Sequence, residues 1–138
     1  MTTEQQNIEV AKAGYAAFGR GDMAGIVALL DENVEWNMPG KGVLPTGGIR
    51  KGPAEILQFF ATVAQTWEFE IFEPREYVAS GDRVCAIGYY RARSRKTGRV
   101  AESDWVMVWR IRGGKCVHLQ EYTDTAALGA VVAGAAAA

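Results

Sequence analysis

Histidine is nearly absent from this chain. His118 is the only one among 138 residues, and it is joined by just two cysteines, Cys85 and Cys116. Zinc sites draw three or four His, Cys or carboxylate ligands from short spacings, so no metal site is implied. The two thiols stand far apart in sequence and are expected free, in a reducing cytoplasm. An excess of charge of one sign is also missing: a formal net charge of -1 leaves no electrostatic footprint for nucleic acid. No apolar run approaches the length of a membrane span, and the amino terminus lacks the basic-then-apolar order of a signal peptide. The one basic cluster, Arg91, Arg93, Arg95, Lys96 and Arg99, has neither interleaved aromatics nor an acidic counterpart. It reads as a solvated hairpin tip rather than a phosphate site.

What is present is an ordinary globular composition, 49% hydrophobic and 22% charged. A chain of this length forms one domain, 1–138, with an Ala-rich tail from about 126 that either adds a short helix or frays. Apolar residues recur at helical spacing at Ile8, Ala11, Tyr15 and Phe18, after Thr3 as a cap and up to Gly19-Arg20-Gly21. Asp22 is placed to cap a second helix carrying Ile26, Val27, Leu29 and Leu30, followed by a short strand from Val34 to Met38. The Gly- and Pro-rich stretch from Pro39 to Gly52 predicts an irregular loop beside a pocket. Pro53 then opens a third helix carrying Ile56, Leu57, Phe59, Phe60 and Val63.

From Trp67 the period changes to alternation. Trp67, Phe69 and Ile71 share a face and Pro74 bends or breaks the strand. Three more strands follow, Val84 to Ser94, Val100 to Ile111 and Cys116 to Tyr122, joined by short Gly-containing turns that fit antiparallel hairpins. Helices first and a meander afterwards predict an α+β domain with helices on one side of a curved antiparallel sheet. The run Trp105-Val106-Met107-Val108-Trp109 is apolar on both faces, so both must be covered. Trp105, Met107 and Trp109 are expected to face the helices or a cavity. Val106 and Val108, with Ile87, Tyr89 and Tyr122, form a candidate homodimer surface; the tail is the other candidate cover.

In the last strand, alternation puts Glu121 on the apolar side with Val117, Leu119 and Thr123, opposite His118, Gln120 and Tyr122. A carboxylate there finds a polar partner, stays wet at a strand end, or has a raised pKa suited to proton transfer.

Helix one closing at Gly21-Asp22, the segment Val34-Glu35-Trp36-Asn37-Met38-Pro39, the Gly52-Pro53 helix start and the closing Glu121-Tyr122-Thr123-Asp124 together resemble the SnoaL-like branch of the nuclear transport factor 2-like superfamily. The resemblance runs over nearly the whole chain. It implies a cone of curved antiparallel sheet wrapped around three helices, with a deep apolar pocket and often a homodimer. It also implies reactions that need no cofactor. Ketosteroid isomerase chemistry is disfavoured, because Trp36 and Asn37 occupy its base region and Met107 its donor aspartate position. The epoxide hydrolase pattern is incomplete, since Gly88 and Tyr90 occupy its Arg and Asp positions and Glu35 replaces its tyrosine.

A cyclase, isomerase or lyase of this family would use Glu121 as general base, with Asn37 and either Tyr15 or Tyr90 as donors to a developing enolate. The pocket so implied is lined by Phe18, Glu35, Phe60, Tyr90, Trp105, Met107, Trp109, Leu119 and Thr123, and takes a small hydrophobic carbonyl compound. The alternative is a module of the same fold that binds a ligand or dimerises without turnover. For the first strand two orientations remain open: Glu35 and Asn37 inward, or Val34, Trp36 and Met38 inward.

Overall fold

The computed structural model describes residues 1–133. Helix α1 (Thr3–Gly19) is capped by Thr2, one residue before the expected Thr3. Thr2 Oγ1 accepts the Gln5 N–H at 3.1 Å and Gln5 Oε1 accepts the Thr2 N–H at 2.8 Å, a reciprocal box that satisfies two otherwise orphaned donors. Asp22 caps the short helix α2 (Met23–Val27) by accepting the Gly25 N–H at 2.8 Å. That bond first, and then Arg20, holds its carboxyl below the usual range.

Strand β1 (Leu30–Met38) begins four residues earlier than the alternation suggested. The reason is tertiary. Leu29 O accepts the Cys116 N–H at 2.7 Å and Ala28 O accepts Lys115 Nζ at 2.5 Å, so the last strand claims the chain before a longer helix can form. The loop after β1 is likewise shorter than expected, because β2 (Gly48–Lys51) pairs antiparallel with β1, Gly48 opposite Met38 and Lys51 opposite Glu35. An edge strand needs a partner on one side only, which this Gly-rich segment can supply. Helix α3 (Gly52–Thr66) carries Pro53 in its first turn and buries Ile56 and Phe59.

Strand β3 (Trp67–Ser80) runs unbroken through Pro74. It lies at the sheet edge, where a proline's missing N–H removes no ladder bond, and the ladder absorbs it with a register shift between Pro74 and Glu76. A second shift, between Phe69 and Ile71, turns Phe72 inward instead of Ile71. Strands β4 (Arg83–Ser94), β5 (Val100–Arg112) and β6 (Lys115–Thr123) complete the meander. The sheet order is β2-β1-β6-β5-β4-β3, a curved α+β sheet over the helices as expected, with one ladder, β1 on β6, parallel. The Ala-rich segment forms α4 (Thr125–Ala133), capped by Asp124, whose Oδ1 accepts the Ala127 N–H at 3.0 Å. Residues 134–138 of the expected tail lie outside the described residues.

Two glycines set how closely large rings approach. A Cβ at Gly14 would lie 2.7 Å from Cη2 of Trp109, and one at Gly88 would overlap both the Trp105 ring and the Glu73 carbonyl. Trp105 is 1% exposed and stacks on Phe72 at 5.3 Å and on Tyr90 at 6.3 Å, so it has no room to retreat. Gly88→Ala is expected to cost about 1–3 kcal/mol through overpacking. Urea denaturation checks this, and an unchanged midpoint would contradict it.

Candidate functional site

Between the helices and the inner face of the sheet lies a cavity of about 100 Å³. Register builds its floor. Met107 on β5 is directly opposite Glu121 on β6, and Trp109 is opposite Leu119, so these four side chains share one face. Tyr15 and Phe18 reach the cavity from α1, Phe60 from α3 and Tyr90 from β4, while Leu44 and Thr46 from the loop after β1 and Leu128 from α4 also line it. Among the described residues, Glu121 is the only charged side chain in the lining.

The other expected site residues fall elsewhere. Glu35 and Asn37 turn to the outer face, because Val34, Trp36 and Met38 are the buried set of β1. Glu35 meets Lys51 at 3.9 Å and His118 at 3.6 Å there, and Asn37 sits between Ile49 and Gln120. Neither can reach a ligand in the cavity. Trp105 lies behind the wall formed by Phe72 and Tyr90 and does not line the space. Thr123 does not line it either; its Oγ1 accepts the Tyr90 hydroxyl at 2.6 Å. Val117 leaves the inner face because a bulge at Arg110/Ile111 brings Cys116 inward instead.

Phe72, Leu44 and Leu128 are among the lining residues that the sequence did not single out as pocket residues. Phe72 arrives through the β3 bulge, and Leu44 and Leu128 arrive from the loop and tail. Ser103, 9% exposed, was readable: it is a polar residue at the inward parity of an apolar strand, the same signal that marked Glu121.

Burial pushes the Glu121 carboxyl up from 4.5 to about 7, and the Tyr90 hydroxyl oxygen lies 3.5 Å from its Oε2. Burial also raises the phenols of Tyr15 and Tyr90 above their ordinary value of 10, and both therefore stay protonated across the neutral range. Tyr15 Oη accepts the Trp109 Nε1–H at 2.9 Å and donates to Met107 Sδ at 3.2 Å. A thioether is a weak acceptor, so this hydroxyl hydrogen is easily redirected to a ligand oxygen. The Cys116 thiol, also raised by burial to about 12, is an unreactive core group. Among the described residues no three His, Cys, Asp or Glu side chains are grouped to hold a metal.

On the outer face two members of the basic cluster are paired, Arg91 and Arg93 each donating to Glu70 at 2.7 Å, and Arg95 Nε donates to the Ala64 carbonyl at 2.7 Å. Beside it Ile87, Tyr89, Val106 and Val108 are half-buried and Tyr122 is 58% exposed, leaving an apolar strip open. Among the described residues no helix is long and apolar enough to cross a membrane.

Comparison with known proteins agrees with this architecture. An NTF2-like protein of Burkholderia xenovorans LB400 superposes with a TM-score of 0.87 at 34% identity, over 96% of this chain and 99% of that one. TerC, crystallised with polyporic acid, gives 0.84 at 34% identity over 93% and 98%. An uncharacterised protein of Mycobacterium tuberculosis H37Rv is 27% identical over 126 residues, 91% of this chain and 95% of that protein. The SnoaL-like domain family matches residues 11–119, from the middle of α1 to the cavity residue Leu119. With the sheet, the helices and the cavity between them all falling within that match or beside it, the chain belongs to the SnoaL-like family of NTF2-like proteins.

Proposed function

We propose that this protein binds a small hydrophobic carbonyl compound in the cavity and moves a proton on it, with Glu121 as general base. The observation that carries this reading is a lone carboxyl, 8% exposed and raised to about 7, in the wall of an otherwise apolar cavity. A base poised near neutral pH combines a useful ionised fraction with strong proton affinity. Glu121 takes a proton from the carbon next to the carbonyl, and the electron pair of the broken C–H bond forms the enolate. Tyr15 then turns its hydroxyl hydrogen from Met107 Sδ to the developing enolate oxygen, where a preorganised donor stabilises charge. Returning the proton to another carbon gives isomerisation; expelling a leaving group or closing a ring gives a lyase or cyclase. Asn37 has no part in this scheme.

Size bounds the ligand. An engineered apolar cavity of about 150 Å³ holds benzene. The present space of about 100 Å³ is smaller, so seating even one ring requires the apolar walls to yield. The cocrystal of TerC with polyporic acid supports an organic ligand for this fold. The test is deuterium exchange at the α-carbons of a panel of single- and two-ring ketones, followed by NMR in wild type and Glu121→Gln. Enzyme-dependent exchange lost in the variant supports the base. Equal exchange in both removes it, and binding without exchange in either favours the non-catalytic reading.

We place a second copy of the chain against the strip formed by Ile87, Val106, Val108 and Tyr122, which a monomer leaves open to water. Sedimentation is expected to show a dimer that Val106→Arg with Tyr122→Arg converts to monomer; a dimer that survives both changes contradicts this. With Cys85 and Cys116 unpaired, a reducing cytoplasm is the compartment this reading assigns.

A further inference from the structure

Behind Glu121 runs a line of hydroxyls whose direction is fixed by two backbone groups at its far end. Ser103 Oγ lies 3.1 Å from the Asp124 nitrogen and 2.6 Å from the Asp104 carbonyl oxygen. The amide can only donate and the carbonyl can only accept. Two oxygens at 2.6 Å require a hydrogen between them, so the single Ser103 hydrogen goes to Asp104 O. Thr123 Oγ1, 3.1 Å from Ser103 Oγ, must then be the donor of that pair. With its own hydrogen spent, Thr123 can only accept from the Tyr90 hydroxyl at 2.6 Å. Tyr90 is left with lone pairs, and no hydrogen, toward Glu121 Oε2 at 3.5 Å.

We propose that Thr123 and Ser103 are positioning residues that hold the Tyr90 hydrogen away from Glu121, so that the carboxyl meets an acceptor on that side and bonds to it only by donating its own proton. The inference deepens the general-base reading and rests on it for its functional meaning. A Tyr90 that donated to the carboxylate would stabilise the ionised form and weaken it as a base. The other titratable group facing Glu121 is Tyr15 from α1, whose hydrogen is directed to Met107 Sδ. Among the described residues, α2, α3, α4 and the 39–47 loop contribute no charged side chain to the cavity.

The direction of the chain predicts the result of cutting it. In Thr123→Val, Tyr90 loses its acceptor and turns its hydrogen to Glu121. The readout is ¹³C-carboxyl NMR of glutamate-labelled protein, with the Glu121 resonance identified by its loss in Glu121→Gln. The Glu121 titration midpoint is expected to fall by about one pH unit. Tyr90→Phe alone removes an acceptor and does not raise the midpoint, and Thr123→Val added to Tyr90→Phe produces no further fall. A general loosening of the core would not depend on Tyr90 in this way.

Should Thr123→Val fail to fold, Ser103→Ala serves in its place. Thr123, deprived of its acceptor, then donates to Tyr90, Tyr90 donates to Glu121, and the midpoint falls in the same direction. An unchanged midpoint in the folded variant overturns the proposal, as does a rise of about one unit in Tyr90→Phe alone. Because the titration needs no substrate, it is independent of the exchange assay. A fall in the variants with no exchange in wild type sinks the catalytic reading and keeps the hydroxyl chain, and the reverse pattern does the opposite.

Discussion

Glu121→Gln is expected to slow α-hydrogen exchange on a bound ketone by about 10²- to 10⁴-fold, the range a positioned general base contributes. Glutamine keeps the size of the side chain and its ability to hydrogen-bond, so ligand affinity should change little while proton transfer is lost. The pH dependence of exchange carries a second signature. Only the ionised carboxylate accepts a proton, so kcat/KM rises with pH and levels off above about 7, where Glu121 is ionised. Tyr15, raised above 10 by burial, stays a donor throughout and adds no second limb in this range. A limb near 4.5, or a rate undiminished in the variant, contradicts the assignment.

The same carboxyl sets the largest expected effect on stability. Its folded pKa lies above its unfolded one, so the folded state binds more protons between the two values. Stability therefore falls as pH rises through that window. Raising the group from 4.5 to about 7 corresponds to about 3 kcal/mol lost once pH exceeds 7. Glu121→Gln removes this cost. The variant should match wild type near pH 4 and exceed it by about 3 kcal/mol near pH 8. Urea denaturation at the two pH values checks this; a difference that does not change with pH would show that Glu121 is solvated in the folded protein.

Why some of this was legible and some was not follows from particular residues. Parity put Glu121 and Leu119 on one face of β6 and Met107 and Trp109 on one face of β5, and the family resemblance supplied the pocket; the reading carries through because β5 and β6 pair through Met107 and Glu121 without a register break. Ser103 obeys the same rule. Phe72 was missed because a bulge at Phe69/Ile71 reverses parity after it, and a bulge on an edge strand leaves no mark in the hydrophobic pattern. Asn37 failed for another reason. Short β1 has polar residues on one side and apolar on the other, but the fold supplies polar partners outside, Lys51 and His118 beside Glu35, so the ordinary burial rule prevails over the family pattern. Tertiary claims on Leu29 and on the 48–51 segment, which lie far from their partners in sequence, moved the ends of α2 and the 39–52 loop. Helices α1 and α3, the caps and the order of the meander are local, and were readable to within a residue or two; α2 was read several residues too long.

The central claim is that Glu121 is a desolvated carboxyl that changes charge near neutral pH. Its direct measurement is the wild-type titration of that one group by ¹³C-carboxyl NMR. A midpoint of about 7 is expected; a midpoint near 4.5, the ordinary value for a solvated glutamate, would contradict the account.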